Sequence, residues 1–374
     1  MPRYLVTGGA GYVGSHVVLA LHRRGDEVVV LDNLRQGHRA ALPQGVPLIR
    51  GDIGDPATLA RAFDGPAYDG VLHFAALSLV GESMKKPMHY LAENLSNTAR
   101  LAEAAVEGGC MRFVLSSTAA LFGEAGDAPI HERTPYGPTS AYGESKGMAE
   151  RALEWADKVH GLKSACLRYF NAAGADASGK FGEDHDPETH LIPNAIRAAL
   201  GQGAPLTLFG TDYPTPDGTP IRDYVHVTDL AEAHLLALDH LDDAGSCRFN
   251  LGTGRGASVR EVLAAVERIT GRRVPHSIGP RRAGDPAVLV ASNNALRKAT
   301  GWKPLHSDLD TVVETAARWH TSHPNGYADR AEKSAKPRVP ARPAAQATET
   351  TVFRNGGGWP GTVASRPLMR DGVD

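Results

Sequence analysis

Tyr142 and Lys146 stand four residues apart in the segment SAYGESKGMAER. On a helix that spacing puts a phenol and an ammonium on one face. A phenol of pKa about 10 is a poor base at neutral pH, and lowering it by about 3 units takes roughly 4 kcal/mol of charge stabilisation. Lys146 and a cationic cofactor ring are the two sources of charge that would make Tyr142 an acid/base catalyst. Chance alone gives such a Tyr/Lys spacing about 0.27 times in a chain of this composition, so its context decides. The context is favourable: an apolar run, RFVLSS, ends at Ser116-Ser117-Thr118 about two dozen residues upstream and supplies hydroxyls.

Those groups need a scaffold that brings strand ends together. The run RYLVT (3–7) leads into TGGAGYVG, which contains Gly8, Gly11 and Gly14 at three-residue spacing, and a helical pattern follows through Val13, Val17, Val18 and Leu21. Glycines between a strand and a helix permit a tight turn and let backbone amides approach a pyrophosphate. Asp32 closes the next run, EVVVLD, where a carboxylate accepts hydrogen bonds from an adenosine ribose. That carboxylate repels a 2′-phosphate, so the expected cofactor is NAD, although Arg35 beside it weakens the preference. Further strand-like runs at 47–52, 70–76 and 112–117 alternate with helical stretches at 56–64 and 88–107. Such alternation predicts an α/β fold, a doubly wound parallel (Rossmann) sheet covered on both faces. Asp52-Ile53 and Phe74-Ala75-Ala76 then fall at its carboxyl edge, beside the cofactor. After residue 171 the pattern loosens into helices at 191–201, 228–241, 258–270 and 307–320, which reads as a smaller α/β substrate-binding lobe. The expected division is 1–171 for the dinucleotide domain, 172–327 mainly for the substrate lobe and 328–374 for a disordered tail.

Composition narrows the classes. Hydrophobic residues make up 42% and charged residues 22% of 374, with a formal net charge of −2. These values describe a globular, cytoplasmic protein without a basic field for nucleic acid. The three cysteines lack CxxC spacing, and no apolar run reaches the ~18 residues of a membrane span. The segment His185-Asp186-Pro187-Glu188-Thr189-His190 invites a metal reading, but Pro187 denies it a helix face, and no metal site is expected.

The segments TGGAGYVGSH, Asp32-Asn33-Leu34, GDI, HFAAL, SSTAALFG, Tyr142-x-x-x-Lys146, LRYFNAAGA, IRDYVHVTDLA and RRAGDPA resemble, in that order, the extended short-chain dehydrogenases and, within them, the UDP-glucose 4-epimerase family. The resemblance spans roughly residues 2–327. It implies that Tyr142 is the acid/base, that Thr118 bonds the reacting hydroxyl, and that Lys146 holds the nicotinamide ribose. It further implies NAD contacts from Gly8, Gly11, Tyr12, Val13 and Gly14, from Asp32, Asn33, Leu34, Arg35, Gln36 and Gly37, and from Asp52, Ile53, Phe74, Ala75, Ala76, Ser78, Asn94, Ser116 and Phe170. Ser78 stands where the family often has lysine, which removes one phosphate contact. By the same resemblance the UDP-sugar lies near Asn171, His190, Leu191, Phe209, Arg222, Arg282 and Asp285, with Leu289 bordering the sugar 2-position. A homodimer through helices 88–107 and 141–158 is also implied.

The activity this implies is a redox-neutral interconversion of UDP-glucose and UDP-galactose through a 4-keto sugar, with the N-acetylated UDP-hexosamines as further substrates. A 4,6-dehydratase would need an Asp-Glu pair after Thr118, where this chain has Ala119-Ala120. Weaker fits to the same residues are an epimerase acting on UDP-pentoses or UDP-uronates and a non-catalytic NAD sensor.

Overall fold

In the computed structural model residues 1–123, 129–282 and 285–330 are described. Seven parallel strands form one sheet, ordered Cys247–Leu251, Lys163–Tyr169, Arg112–Thr118, Gly70–His73, Arg3–Thr7, Glu27–Asp32 and Leu48–Arg50. Neighbouring residues along the strands go to opposite faces. Val6, Val30, Leu72 and Val114 meet the helices Tyr12–Arg24 and Val227–Ala244 through Val17, Val18, Leu21, Leu230 and Leu238. Leu5, Leu31, Val71 and Phe113 meet the helices Pro87–Glu107 and Ala141–His160 through Leu101, Ala105, Ala149 and Leu153. Burial on both faces is why these strands read as unbroken apolar runs, each large side chain contributing about 1.5–3 kcal/mol. Strand order reverses between Arg3–Thr7 and Gly70–His73, the crevice where a doubly wound sheet binds its ligand.

A boundary at residue 171 does not describe this sheet. Cys247–Leu251 pairs with 165–169, from Cys247 with Ala165 to Leu251 with Tyr169, and so completes the sheet from far along the chain. Helix Val227–Ala244, Leu296 and Trp302 pack on the same core. Their apolar residues cover a sheet face that would otherwise be wet. The remaining segments form a second cluster, in which Ile192 and Ile196, Val262 and Val266, and Val312 and Ala316 bring together the helices Leu191–Leu200, Val259–Thr270 and Leu309–Ser322. Small sheets border it, including Ile221–Arg222 flanked by Ala257–Ser258 and Val288–Leu289.

A tail beginning at 328 also needs moving. Asp329 pairs with His38 at 2.9 Å and accepts the Arg39 backbone N–H at 2.7 Å, and Arg330 pairs with Asp184. The expected disorder of the tail otherwise lies outside the described residues. No helix among the described residues is long and apolar enough to cross a membrane.

The sheet buries a neutral histidine. His73 bonds the Thr7 hydroxyl at 2.7 Å and the Thr98 hydroxyl at 3.1 Å, and burial, with Lys146 nearby, holds its pKa down to about 3. The unfolded chain takes up this proton below pH 6.5 and the folded chain does not. Stability present above pH 6.5 is therefore lost as pH falls towards 3, at about 1.4 kcal/mol per unit of depression. Urea midpoints should fall steadily from pH 7 to pH 4.5, and His73→Gln should flatten that slope.

Candidate active site

Two glycines shape the first turn by necessity. Gly8 has φ +70°, and a Cβ there would lie 2.4 Å from the Ala75 backbone nitrogen; at Gly14 it would lie 2.3 Å from the Gly8 carbonyl oxygen. The helix Tyr12–Arg24 starts at Gly11 with no side-chain cap and no acid in its first turn. Its leading N–H groups and the positive end of its dipole therefore suit an anion. Asp32, buried at the end of the neighbouring strand, accepts the Ala10 N–H at 3.0 Å on one oxygen and the Leu34 N–H at 2.8 Å on the other. These bonds hold its carboxylate beside the glycine turn, and a carboxylate can accept about four. Asn33 donates to Asp52 at 2.9 Å, which ties the ends of the second and third strands together. A pyrophosphate over Gly11–Gly14 and a ribose against Asp32 thus fit this edge.

The helix Ala141–His160 is fixed in register by Ser140, whose side chain accepts the Gly143 N–H at 3.1 Å. Tyr142 and Lys146 consequently sit in its first two turns, over the carboxyl end of Arg112–Thr118. Burial raises the Tyr142 pKa, and a hydrogen bond with the Thr118 side chain pulls it back. That contact, rather than Lys146, is what the chain itself offers the phenol. The Lys146 ammonium is buried, with its pKa lowered to about 8; Glu150 opposes the desolvation, and the charge is felt by His73 at the central strand end.

Sequence reasoning missed the buried acid whose charge opposes the desolvation of that ammonium. Glu150 accepts from Ser117 at 2.5 Å, from Tyr136 at 2.6 Å and from Arg168 at 3.0 and 2.6 Å, with Arg168 itself fully buried. Despite its burial, Arg168 and these hydroxyls keep its pKa below the usual value. The signal is there to be read: Tyr142, Lys146 and Glu150 recur every four residues on one helix. Tyr169 was missed as well; its hydroxyl bonds Ser116 at 2.6 Å, and its pKa is raised by burial and by Tyr142. Asn94, expected at the cofactor, clamps Leu77 through both backbone groups (2.8 and 3.0 Å) and Ser145 (2.9 Å), so it positions the loop that carries Ser78.

In the second lobe Arg222 pairs with Asp285, and the Arg282 guanidinium lies 4.2 Å over the Phe209 ring. Leu289 is the register partner of Arg222 and packs on the cluster of Leu121, Phe122 and Ile130, as does Phe170. The structure thus joins Leu289 to both the phenol side and the arginine side. Asn171 donates its N–H to the Asp223 carbonyl at 3.0 Å, beside Arg222. His190 caps Leu191–Leu200, and its ring bonds Glu183. The lack of a helix face did not keep the donors of the His185–His190 segment apart: the loop brings Glu183, His185, Glu188 and His190 together.

A phenol and an ammonium held over the carboxyl edge of a dinucleotide-binding sheet define an oxidoreductase-type site of the short-chain dehydrogenase kind. More particularly, the chain belongs to the NAD dependent epimerase/dehydratase family, whose sequence profile matches residues 4–252. It is 49% identical over 326 residues to a UDP-glucose 4-epimerase of Lacticaseibacillus casei, covering 87% of this chain and 98% of that one. The solved UDP-glucose 4-epimerase of Brucella ovis in complex with NAD superposes with a TM-score of 0.82 at 45% identity, covering 85% of this chain and 98% of that one. The UDP-Glc/GlcNAc 4-epimerase of Campylobacter jejuni gives 0.76 at 38% identity, covering 86% and 100%.

Proposed function

We propose that the protein interconverts UDP-glucose and UDP-galactose, redox-neutral overall, with NAD held throughout. The observation that carries this is the placement of Tyr142 and Lys146 on one helix face over the carboxyl end of Arg112–Thr118, in a chain so similar to UDP-glucose 4-epimerases along its length. Amides of Tyr12, Val13 and Gly14 would hold the pyrophosphate against the turn that Gly8 and Gly11 shape, whose own N–H groups donate to the Leu31 and Gly8 carbonyls. Asp32 to Gly37 would hold the adenosine ribose, and Asp52 and Ile53 the adenine. Phe74, Ala75, Ala76, Ser78, Asn94, Ser116, Lys146 and Phe170 would line the nicotinamide half. When bound, NAD supplies a reversible hydride acceptor and a positive ring, which is why no added oxidant is needed.

Tyr142 removes the proton of the sugar 4-hydroxyl, oriented by Thr118, and returns it after the 4-keto sugar has turned over. Arg222, Arg282, Asp285, Phe209, Asn171, His190 and Leu191 anchor the UDP during that turn, so reorientation stays intramolecular. The purified protein should convert UDP-galactose to UDP-glucose without added reductant or oxidant; no conversion in either direction would refute the reading.

Leu289 bears on breadth of substrate. Tyrosine would crowd an N-acetyl group at the sugar 2-position, whereas leucine leaves room and apolar surface. Burying the acetyl methyl contributes about 0.8 kcal/mol, while a clash costs more, so the steric effect decides. UDP-N-acetylglucosamine should be a substrate. Leu289→Tyr should suppress its turnover at least tenfold while sparing UDP-galactose; equal loss on both would make Leu289 structural.

The enzyme is proposed to be cytoplasmic and homodimeric. Supporting the dimer, Met88, Ala92, Leu95 and Ala99 on one helix and Met148, Ala152, Trp155 and Val159 on its neighbour form outward apolar rows, with Trp155 and Val159 each 65% exposed.

A further inference from the structure

We propose that Glu183, His185, Glu188 and His190 bind one divalent transition-metal ion of the zinc class. One donor atom from each lies within 4.8 Å of all the others. Two imidazole nitrogens and two carboxylate oxygens are the donor set that such ions take. Tetrahedral bonds of about 2.0–2.2 Å separate donors by roughly 3.3 Å. His185 Nδ1 lies 3.1 Å from Glu183 and 3.7 Å from Glu188, straddling that value. Both imidazoles reach for the same Glu183 oxygen. Closing the site needs the more distant donors, separated by up to 4.8 Å, to draw together.

An ion would take over a charge balance that the imidazoles supply. The Glu183 and Glu188 side chains are only 5% and 4% exposed; His185 pairs with both and His190 with Glu183, and a divalent ion bound there would displace the imidazole protons. A second observation points the same way. Gln202 has a buried Oε1 without a hydrogen-bond partner, and it lines a cavity of about 250 Å³ together with Glu183, His185 and Glu188. That acceptor suits a donor such as a metal-bound water, in a cavity that Arg197 and Arg330 also line.

The loop is already pinned. Trp319 donates to the Glu183 carbonyl at 3.0 Å, the Tyr327 N–H donates to Asp184 at 2.8 Å, and Gln36 donates to the Asp186 carbonyl at 3.2 Å. The Tyr12 and His185 rings meet edge to face at 6.1 Å. The ion would thus sit between the dinucleotide turn, which carries Tyr12 and Gln36, and the helix that His190 caps. Its role is to fasten the substrate lobe to the cofactor side, and through His190 it would border the residues proposed to anchor the UDP.

The test uses the full chain, freed of metal by chelator and then titrated with Zn²⁺ alone. One equivalent should survive desalting, raise the melting temperature by several degrees, and give an anomalous-scattering peak among the four donors in crystals. His185→Ala combined with Glu188→Gln should lose at least tenfold in Zn²⁺ affinity while its metal-free circular dichroism stays unchanged. Substoichiometric retention by the wild type, a peak elsewhere, or equal retention by the double variant would overturn the proposal. None of these readouts depends on turnover, so the site and the epimerase reading stand or fall separately.

Discussion

Tyr142→Phe should lower kcat for epimerisation by roughly 10²–10⁴-fold, the usual worth of a positioned acid/base. The substitution removes one oxygen and leaves the ring in place. Thr118 loses its partner, but the glycine turn, Asp32 and Lys146 are untouched. NAD content, read from the absorbance of the purified variant, should therefore match the wild type, and the KM for UDP-galactose should move little. An unchanged kcat would assign the proton transfer to another group.

Glu150→Ala should be the most destabilising single change near the site, at about 3–5 kcal/mol, because it strands Arg168 as an unpaired buried charge. It carries a second effect. Burial lowers the Lys146 pKa to about 8, and Glu150 is the foremost contribution opposing that fall. Without Glu150 the ammonium should lose its proton nearer neutrality. The basic limb of the pH–rate profile should then move to lower pH and bound NAD should decrease. Glu150→Gln keeps the shape and two acceptor sites, so it should unfold later in urea than the alanine variant yet show the same displacement of the basic limb. An unchanged profile in both variants would confine Glu150 to stability.

What the chain makes legible follows from locality. Gly8 and Gly14 are forced by contacts within one turn, Asp32 ends an unbroken apolar run, and Tyr142 and Lys146 share a helix face, so spacing alone exposes them. Cys247–Leu251 escapes such reasoning because its sheet partner lies about eighty residues earlier, and no local period reports a partner. Glu150 escapes for a different reason: an acid two turns beyond Tyr142 resembles a solvated one until Arg168 arrives from the next strand. The loop from Glu183 to His190 defeats periodic reasoning altogether, since its donors converge through backbone turns rather than through a helix face. Asp329 and Arg330 fall into the expected tail because their partners, His38 and Asp184, are distant in sequence.

The central claim is that C4 is oxidised and reduced again on one enzyme molecule, with Tyr142 handling only the proton. UDP-galactose carrying deuterium at C4 tests it most directly, with the UDP-glucose product analysed by mass spectrometry and proton NMR after partial conversion in ordinary water. The account predicts that the deuterium remains at C4 of the product, because it leaves and returns as hydride. Replacement of that deuterium by solvent hydrogen would contradict it.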